Sequence, residues 1–300
     1  MKYLGKKWKL VTIIYFILCY IYVISIKHMP ISKLLLFYGG FILLTMILFL
    51  GTTIGLIGIL IQNITKNDAK ASKFYKIAYA LKTNHISVLS SYGLILLKED
   101  HINKSLEIFK IALSLQPDFL PSKIIKCNIA ICNWKLGNIN EAIDIYEKIF
   151  KDFEKSIDED DITSETEEEK EEYTITTNDY VYAQDYTTLG YLYLLKKDYD
   201  KAIENSKKAL ILNENYAAAL DNLGQIYYET NEYDKAIKNL KSALVINPNM
   251  ADSNYYMGLI YEKQDNIKEA KRYYTKAASC NFNALNTVKK EDVEMKLKEI

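Results

Sequence analysis

The chain has 300 residues, and its 38 Lys and Arg balance its 38 Asp and Glu. The zero sum hides a division: up to Lys82 only Asp68 opposes the lysines, so this part carries about +10 and the remainder about −10. An acidic remainder repels polyphosphate and excludes nucleic acid as a partner, and the four cysteines call for no oxidising compartment.

The first elements are apolar. Leu10 to Ile26 reads "LVTIIYFILCYIYVISI" and Leu34 to Ile61 reads "LLLFYGGFILLTMILFLGTTIGLIGILI", without a charge in either. A hydrocarbon core of about 30 Å takes roughly 20 apolar residues as helix, so residues 10–26 and 34–61 are expected to be two transmembrane helices, with residues 1–66 as a membrane anchor. A cleaved signal peptide is the competing reading of the first, since Lys2, Lys6, Lys7 and Lys9 form a basic leader; "KHMPIS" after Ile26 offers no small-residue cleavage site. Lysines also follow the second stretch, at Lys66, Lys70, Lys73, Lys76 and Lys82. Two outer flanks more basic than the connecting loop place the N-terminus and everything beyond residue 66 on the cytoplasmic side of a cell membrane. Those lysines either meet anionic lipid or form a solvated helix face. Gly51, Gly55 and Gly58 lack the Lys-Ser/Thr of a phosphate loop and read as small residues at a helix–helix contact.

Beyond residue 66 the chain repeats itself. Ala71, Tyr75 and Ala78 mark a helix within 67–85, the second half of a unit. Gly93, Phe109, Ala112 and Pro117 mark a unit at 86–119, with Ser105 where a small alanine is expected; Ala130, Ala142 and Tyr146 mark another at 123–156. From Glu154 to Glu172 the acids outnumber the lysines so heavily that self-repulsion opposes a packed core, and an insert spanning 157–182 is expected to loop out. Then "KDYDKAIENSKKALILNEN" from Lys197 is nearly respelled as "NEYDKAIKNLKSALVINPN" from Asn231. Gly190, Gly224 and Gly258 stand about 34 residues apart, and Ala202, Ala236 and Ala270 keep the same step. Three units follow at 183–216, 217–250 and 251–284, with a capping helix at 285–300. Each reads as two amphipathic helices; Asn138 and Asn266 stand three residues before Glu141 and Glu269 as in a capping box, and Pro248 stops a second helix.

This pattern resembles the tetratricopeptide repeat: Tyr186, Leu189, Gly190, Tyr193, Ala202 and Ala209 in one unit; Leu220, Leu223, Gly224, Tyr227, Ala236, Leu240, Ala243 and Pro248 in the next; Met257, Gly258, Tyr261, Ala270, Tyr274 and Ala277 in the third. The resemblance implies an all-α helix-turn-helix solenoid whose concave face is lined by the first helix of each unit. It also implies the groove-facing positions. These are Gln184, Thr187, Thr188, Tyr191 and Leu194, then Asp221, Asn222, Gln225 and Tyr228, then Asp252, Tyr255, Tyr256, Leu259 and Glu262. Asn222 matches an asparagine of family members that clamp a C-terminal carboxylate, but Thr187 and Tyr255 stand where the basic partners belong. The tyrosines instead suit a peptide with apolar and polar anchors.

No P-loop, nucleophile elbow or paired zinc histidines occur, and His28, His85 and His101 fall in loops or turns, so no catalytic, cofactor or metal site is expected. Cys127 and Cys132, five apart on one helix, read with Cys19 and Cys280 as structural thiols. The expected function is a membrane-anchored scaffold or adaptor that binds a protein or peptide in the groove at the cytoplasmic face and touches the lipid bilayer through its spans. The alternative is an accessory or regulatory subunit of a membrane-bound enzyme or envelope-assembly complex, held through the transmembrane pair.

Overall fold

The computed structural model describes residues 39–40, 49–115, 121–161, 182–282 and 286–300. Helices run in the order α1 (Leu50–Thr65), α2 (Asp68–Ala80), α3 (Ile86–Lys98), α4 (Ile102–Leu115), α5 (Pro121–Lys135), α6 (Ile139–Asp161), α7 (Ala183–Leu195), α8 (Tyr199–Leu212), α9 (Ala217–Glu229), α10 (Tyr233–Ile246), α11 (Ala251–Lys263), α12 (Ile267–Ser279) and α13 (Lys290–Glu299). They divide into two units, one of residues up to Leu96 with Lys104–Ile125 and one of Leu97–Asn103 with Lys126–Ile300.

In the first unit, α1 and α2 pack as a pair. The buried face of α1 is its glycine row, Gly51, Gly55 and Gly58, because only residues without a Cβ fit there. A Cβ on Gly58 would lie 2.8 Å from Cε1 of the buried Tyr75, and one on Gly55 would lie 2.5 Å from Val88 of α3. Tyr75 donates its hydroxyl to Gln62 Oε1 at 2.7 Å, and Gln62 Nε2 donates to Asp68 Oδ1 at 2.8 Å, which ties the end of α1 to the start of α2.

Residues 50–65, the end of the apolar stretch 34–61, therefore take the place of the first helix of the unit that α2 completes. The half repeat expected at 67–85 is a whole helix pair, and the glycines meet the chain's own next helices. The expected span 10–26 lies outside the described residues, and so does most of 34–61. Among the described residues no helix is long and apolar enough to cross a membrane; α1, with 16 residues, extends about 24 Å. The next pair, α3 and α4, repeats the arrangement: a Cβ on Gly93 would sit 2.8 Å from the Phe109 ring. Ser105 replaces the small alanine without loss because its buried hydroxyl donates to the Gly93 carbonyl at 2.7 Å.

The second unit stacks α7 on α8, α9 on α10 and α11 on α12, pairs that begin at Ala183, Ala217 and Ala251. First helices also touch from one repeat to the next, α7 against α9 and α9 against α11, and so form one inner layer. Each crossing sets a glycine against a side chain 16 positions on: Gly190 against Ser206, Gly224 against Leu240, Gly258 against Tyr274. The alanines Ala202, Ala209, Ala236, Ala243, Ala270 and Ala277 are wholly buried, so the helices close to van der Waals contact. Turns between paired helices share one backbone device. Lys197, Asn231 and Asp265 follow at the same step with φ between 56° and 61°, and Gly137, in the turn between α5 and α6, has φ 85°. A single left-handed residue reverses the chain there, and only one of the four is the glycine that region favours. Asn266 caps α12 by accepting the Glu269 N–H at 3.3 Å.

α6 continues to Asp161, so helix extends into the acidic tract expected to be loop from residue 157. Residues 162–181 lie outside the described set. The helices on either side of them, α6 and α7, join directly, with the Phe150 and Tyr186 rings 4.5 Å apart, and Cys127 of α5 donates its Sγ to Asp185 Oδ1 of α7 at 3.5 Å. α13 packs against α12 through Val288, Val293 and Ala277, which are all buried.

Candidate functional site

Helical spacing puts the groove positions of α7, α9 and α11 on the inner layer, but their side chains are used in different ways. Asn222 is buried and donates Nδ2 to the Thr187 carbonyl at 2.7 Å, locking α9 to α7. The Thr187 and Thr188 hydroxyls donate to Ala183 and Gln184 carbonyls of their own helix. Gln184 is exposed, while Leu194 is buried and Leu259 half-buried. Tyr228 meets Tyr256 edge-on at 5.3 Å, and Tyr255 meets Tyr256 at 5.9 Å and Tyr274 at 5.6 Å, so three of the expected positions form an aromatic group with the buried core. Glu262 accepts the Tyr274 hydroxyl and pairs with Lys296 of α13 at 3.0 Å.

The remaining positions converge. Asp221 is buried, accepts Gln225 Nε2 at 2.7 Å and the Ser253 hydroxyl, and lies near Asp252. Burial, reinforced by the Asp252 charge, pushes the Asp221 carboxyl up to about 7. Tyr191, half-buried, meets Trp134 edge-on at 5.2 Å, and burial raises its phenol well above the ordinary tyrosine value. Into this cluster comes a segment from beyond the repeats. Asp252 accepts the N–H groups of Thr287 and Val288 at 3.0 and 2.7 Å and the Thr287 hydroxyl at 2.5 Å on one oxygen, and the Asn286 amide at 3.1 Å on the other. From the opposite direction Lys135 Nζ donates to the Asn286 carbonyl at 2.9 Å, and burial lowers the lysine's affinity for its proton. The Gln225 amide also donates to the Thr287 hydroxyl at 3.5 Å.

The sequence pattern singled out Tyr191, Asp221, Gln225 and Asp252 here and missed Trp134, Lys135, Ser253, Asn286 and Thr287. Trp134 was findable, since it holds in the 123–156 unit the register place that Leu194 and Tyr228 hold in theirs. Asn286 and Thr287 carried no such signal because they follow the last repeat. Cys127 and Cys132 are buried thiols outside any disulfide, and Cys280 is partly exposed. Among the described residues no group of three His, Cys, Asp or Glu is placed to hold a metal ion.

A helix pair of this register has known relatives. Tetratricopeptide-repeat profiles match residues 128–156, 186–216 and 251–283, and a TPR-repeat profile matches 224–265. A tetratricopeptide repeat protein from Parabacteroides merdae superposes with a TM-score of 0.60 at 14% identity, covering 83% of each chain. A thermophilic TPR protein of Thermus thermophilus gives 0.53 at 19% identity over 72% of this chain and 98% of that one. PilW, a widely conserved type IV pilus biogenesis factor, gives 0.54 at 14% identity over 76% and 91%. No curated protein matches the chain. The repeats are tetratricopeptide repeats, stacked as an all-α solenoid. Proteins built from them generally mediate protein–protein interactions, and the fold is typically a non-catalytic scaffold.

Proposed function

We propose that this chain is a scaffold or adaptor that takes a partner protein on the inner layer of α7, α9 and α11, held at a membrane by its uncharged N-terminal stretches with the repeats on the cytoplasmic side. The observation that carries the binding reading is the convergence of Tyr191, Asp221, Gln225 and Asp252 on one face of helices that otherwise exist to pack. Hydrogen-bonding groups gathered on a face, with Tyr228, Tyr255 and Tyr256 beside them, suit a peptide read through both polar and aromatic contacts. Support for the membrane reading is the lack of charge in residues 10–26 and 34–61 and the lysine-rich flanks. The face of α1 opposite its glycines adds Leu56, Ile57, Leu60 and Ile64, all exposed.

The binding reading is tested by a photo-crosslinking residue at Gln184, exposed on α7, against one at Lys207, exposed on α8. Discrete adducts are expected from Gln184 alone and should weaken in Tyr228→Ala. Equal adducts from both sites would move the contact off the inner layer. For the membrane, alkaline carbonate should leave the full chain in the pellet, and release into the supernatant would remove the anchor from the reading.

A further inference from the structure

The inner face of the second unit already holds a peptide, and that peptide is its own. Asn286–Val288 is gripped chiefly through its main chain: one carbonyl by Lys135 and two successive N–H groups by Asp252. Main-chain contacts are blind to sequence, so identity is carried by side-chain contacts, chiefly the Asn286 amide on Asp252 and the Thr287 hydroxyl on Asp252 and Gln225. A carboxylate that takes two amides and a hydroxyl, with an ammonium on the preceding carbonyl, fixes both the position and the direction of a bound chain.

We propose that this site is the partner-binding subsite of the groove, that it selects an extended segment with an Asn followed by a hydroxyl residue, and that Asn286–Val288 occupies it in the free chain as a built-in competitor. The inference rests on the inner-layer reading above and adds the ligand chemistry and the closed state. The competitor is well placed to hold. Val288 is buried with Val293 and Ala277, and Lys296 of α13 pairs with Glu262, so the segment is tethered immediately beside its site. A short tether sets a local concentration of about the millimolar range, which a free segment of equal intrinsic affinity overcomes poorly. A partner therefore gains access by offering further contacts, for which the neighbouring tyrosines are available, or by drawing α13 away.

The test uses the full chain and a fluorescent synthetic peptide with the sequence of residues 282–292. Wild type should bind it weakly. Asn286→Ala with Thr287→Pro, which removes the amide, the hydroxyl and one N–H of the competitor, should bind it on the order of tenfold or more tighter. Adding Lys135→Met to that variant should abolish binding, and a peptide with Val in place of its Thr should bind more weakly than the parent. Hydrogen exchange of the Thr287 and Val288 amides in wild type reads the closed state without any partner. Free exchange there overturns this inference and leaves the inner-layer reading standing. Protected amides together with no peptide uptake by the released variant overturn both, because the face then holds the segment only as part of the fold.

Discussion

The two ends of the described repeats are finished differently. At the C-terminal end α13 lies on α12, closes over Ala277 with Val288 and Val293, and is pinned by Lys296 to Glu262. At the N-terminal end α1 turns its glycines inward and leaves Leu56, Ile57, Leu60 and Ile64 exposed, with Ile64 at 72%. Terminal repeats of a solenoid need a polar outer face to stay in water. The C-terminal end meets that need with a helix bearing Glu291, Asp292, Lys296 and Lys298. The first helix does not, and the chain leading into it is uncharged from Leu34 onward. One helix thus serves two purposes: its small residues make a repeat, and its large ones face whatever lies outside.

The largest expected effect tests whether both ends are built by the same crossing. Gly258→Leu drives a side chain into Tyr274, and Gly58→Leu drives one into Tyr75, so each should destabilise its own unit by about 3 kcal/mol or more in thermal or denaturant unfolding. If Gly58→Leu were silent, α1 would not be a repeat helix and the symmetry of the ends would fail. Next is the cap itself. Val293→Asp places a carboxyl where no solvent reaches, and a cost of about 2 kcal/mol in the second unit is expected. An unchanged melting curve would show that α13 adds little to the end it covers.

The exposed stripe on α1 should respond in the opposite sense. Leu60→Lys with Ile64→Lys changes side chains that are 57% and 72% exposed, so repeat stability should move by no more than about 0.5 kcal/mol per site. Binding to neutral phosphatidylcholine liposomes, on which the added lysines gain no charge attraction, should fall in the same variant. A loss of stability well beyond that figure would mean that protein covers the stripe, and the contrast between the ends would disappear.

What the sequence revealed of this architecture follows from how each contact is encoded. Gly190, Gly224 and Gly258 recur at one step with a partner 16 positions on, so the crossings could be read as a periodic pattern. Gly58 and Tyr75 make the same contact at one residue more, and Gly58 lies in a stretch apolar enough to read as a membrane span, so this crossing falls out of the period that marks the others. The groove register found Tyr191, Asp221 and Gln225 because side chains on a helix face obey its period. It did not announce that Asn222 donates to the Thr187 carbonyl of the neighbouring helix, since the period gives a direction and not a neighbour. Nothing local announces Asn286 and Thr287. Their bonds run from a side-chain amide, a hydroxyl and a main-chain N–H to Asp252, 34 or more residues away, and a repeat pattern stops before them.

The smallest expected effect concerns the acidic tract that parts the repeats. α6 and α7 belong to adjacent repeats and already touch through Phe150 and Tyr186, and α5 bonds α7 through Cys127 and Asp185, so the array is joined without residues 162–181. Asp161 stands eleven residues of helix beyond Phe150, which amounts to about 16 Å. Tyr182 stands four residues before Tyr186, at the first turn of α7. A connection of ten residues reaches about 33 Å when extended, enough to span that gap without pulling on either helix. Halving the length of 162–181 with a Gly-Ser sequence should then raise stability by no more than about 0.6 kcal/mol, the loop-closure term for a factor of two. Unfolding should stay a single transition. A split into two transitions would show that the tract itself couples α6 to α7, and the core shared by Tyr146, Leu189 and Leu192 would be too weak to hold the two repeats as one body.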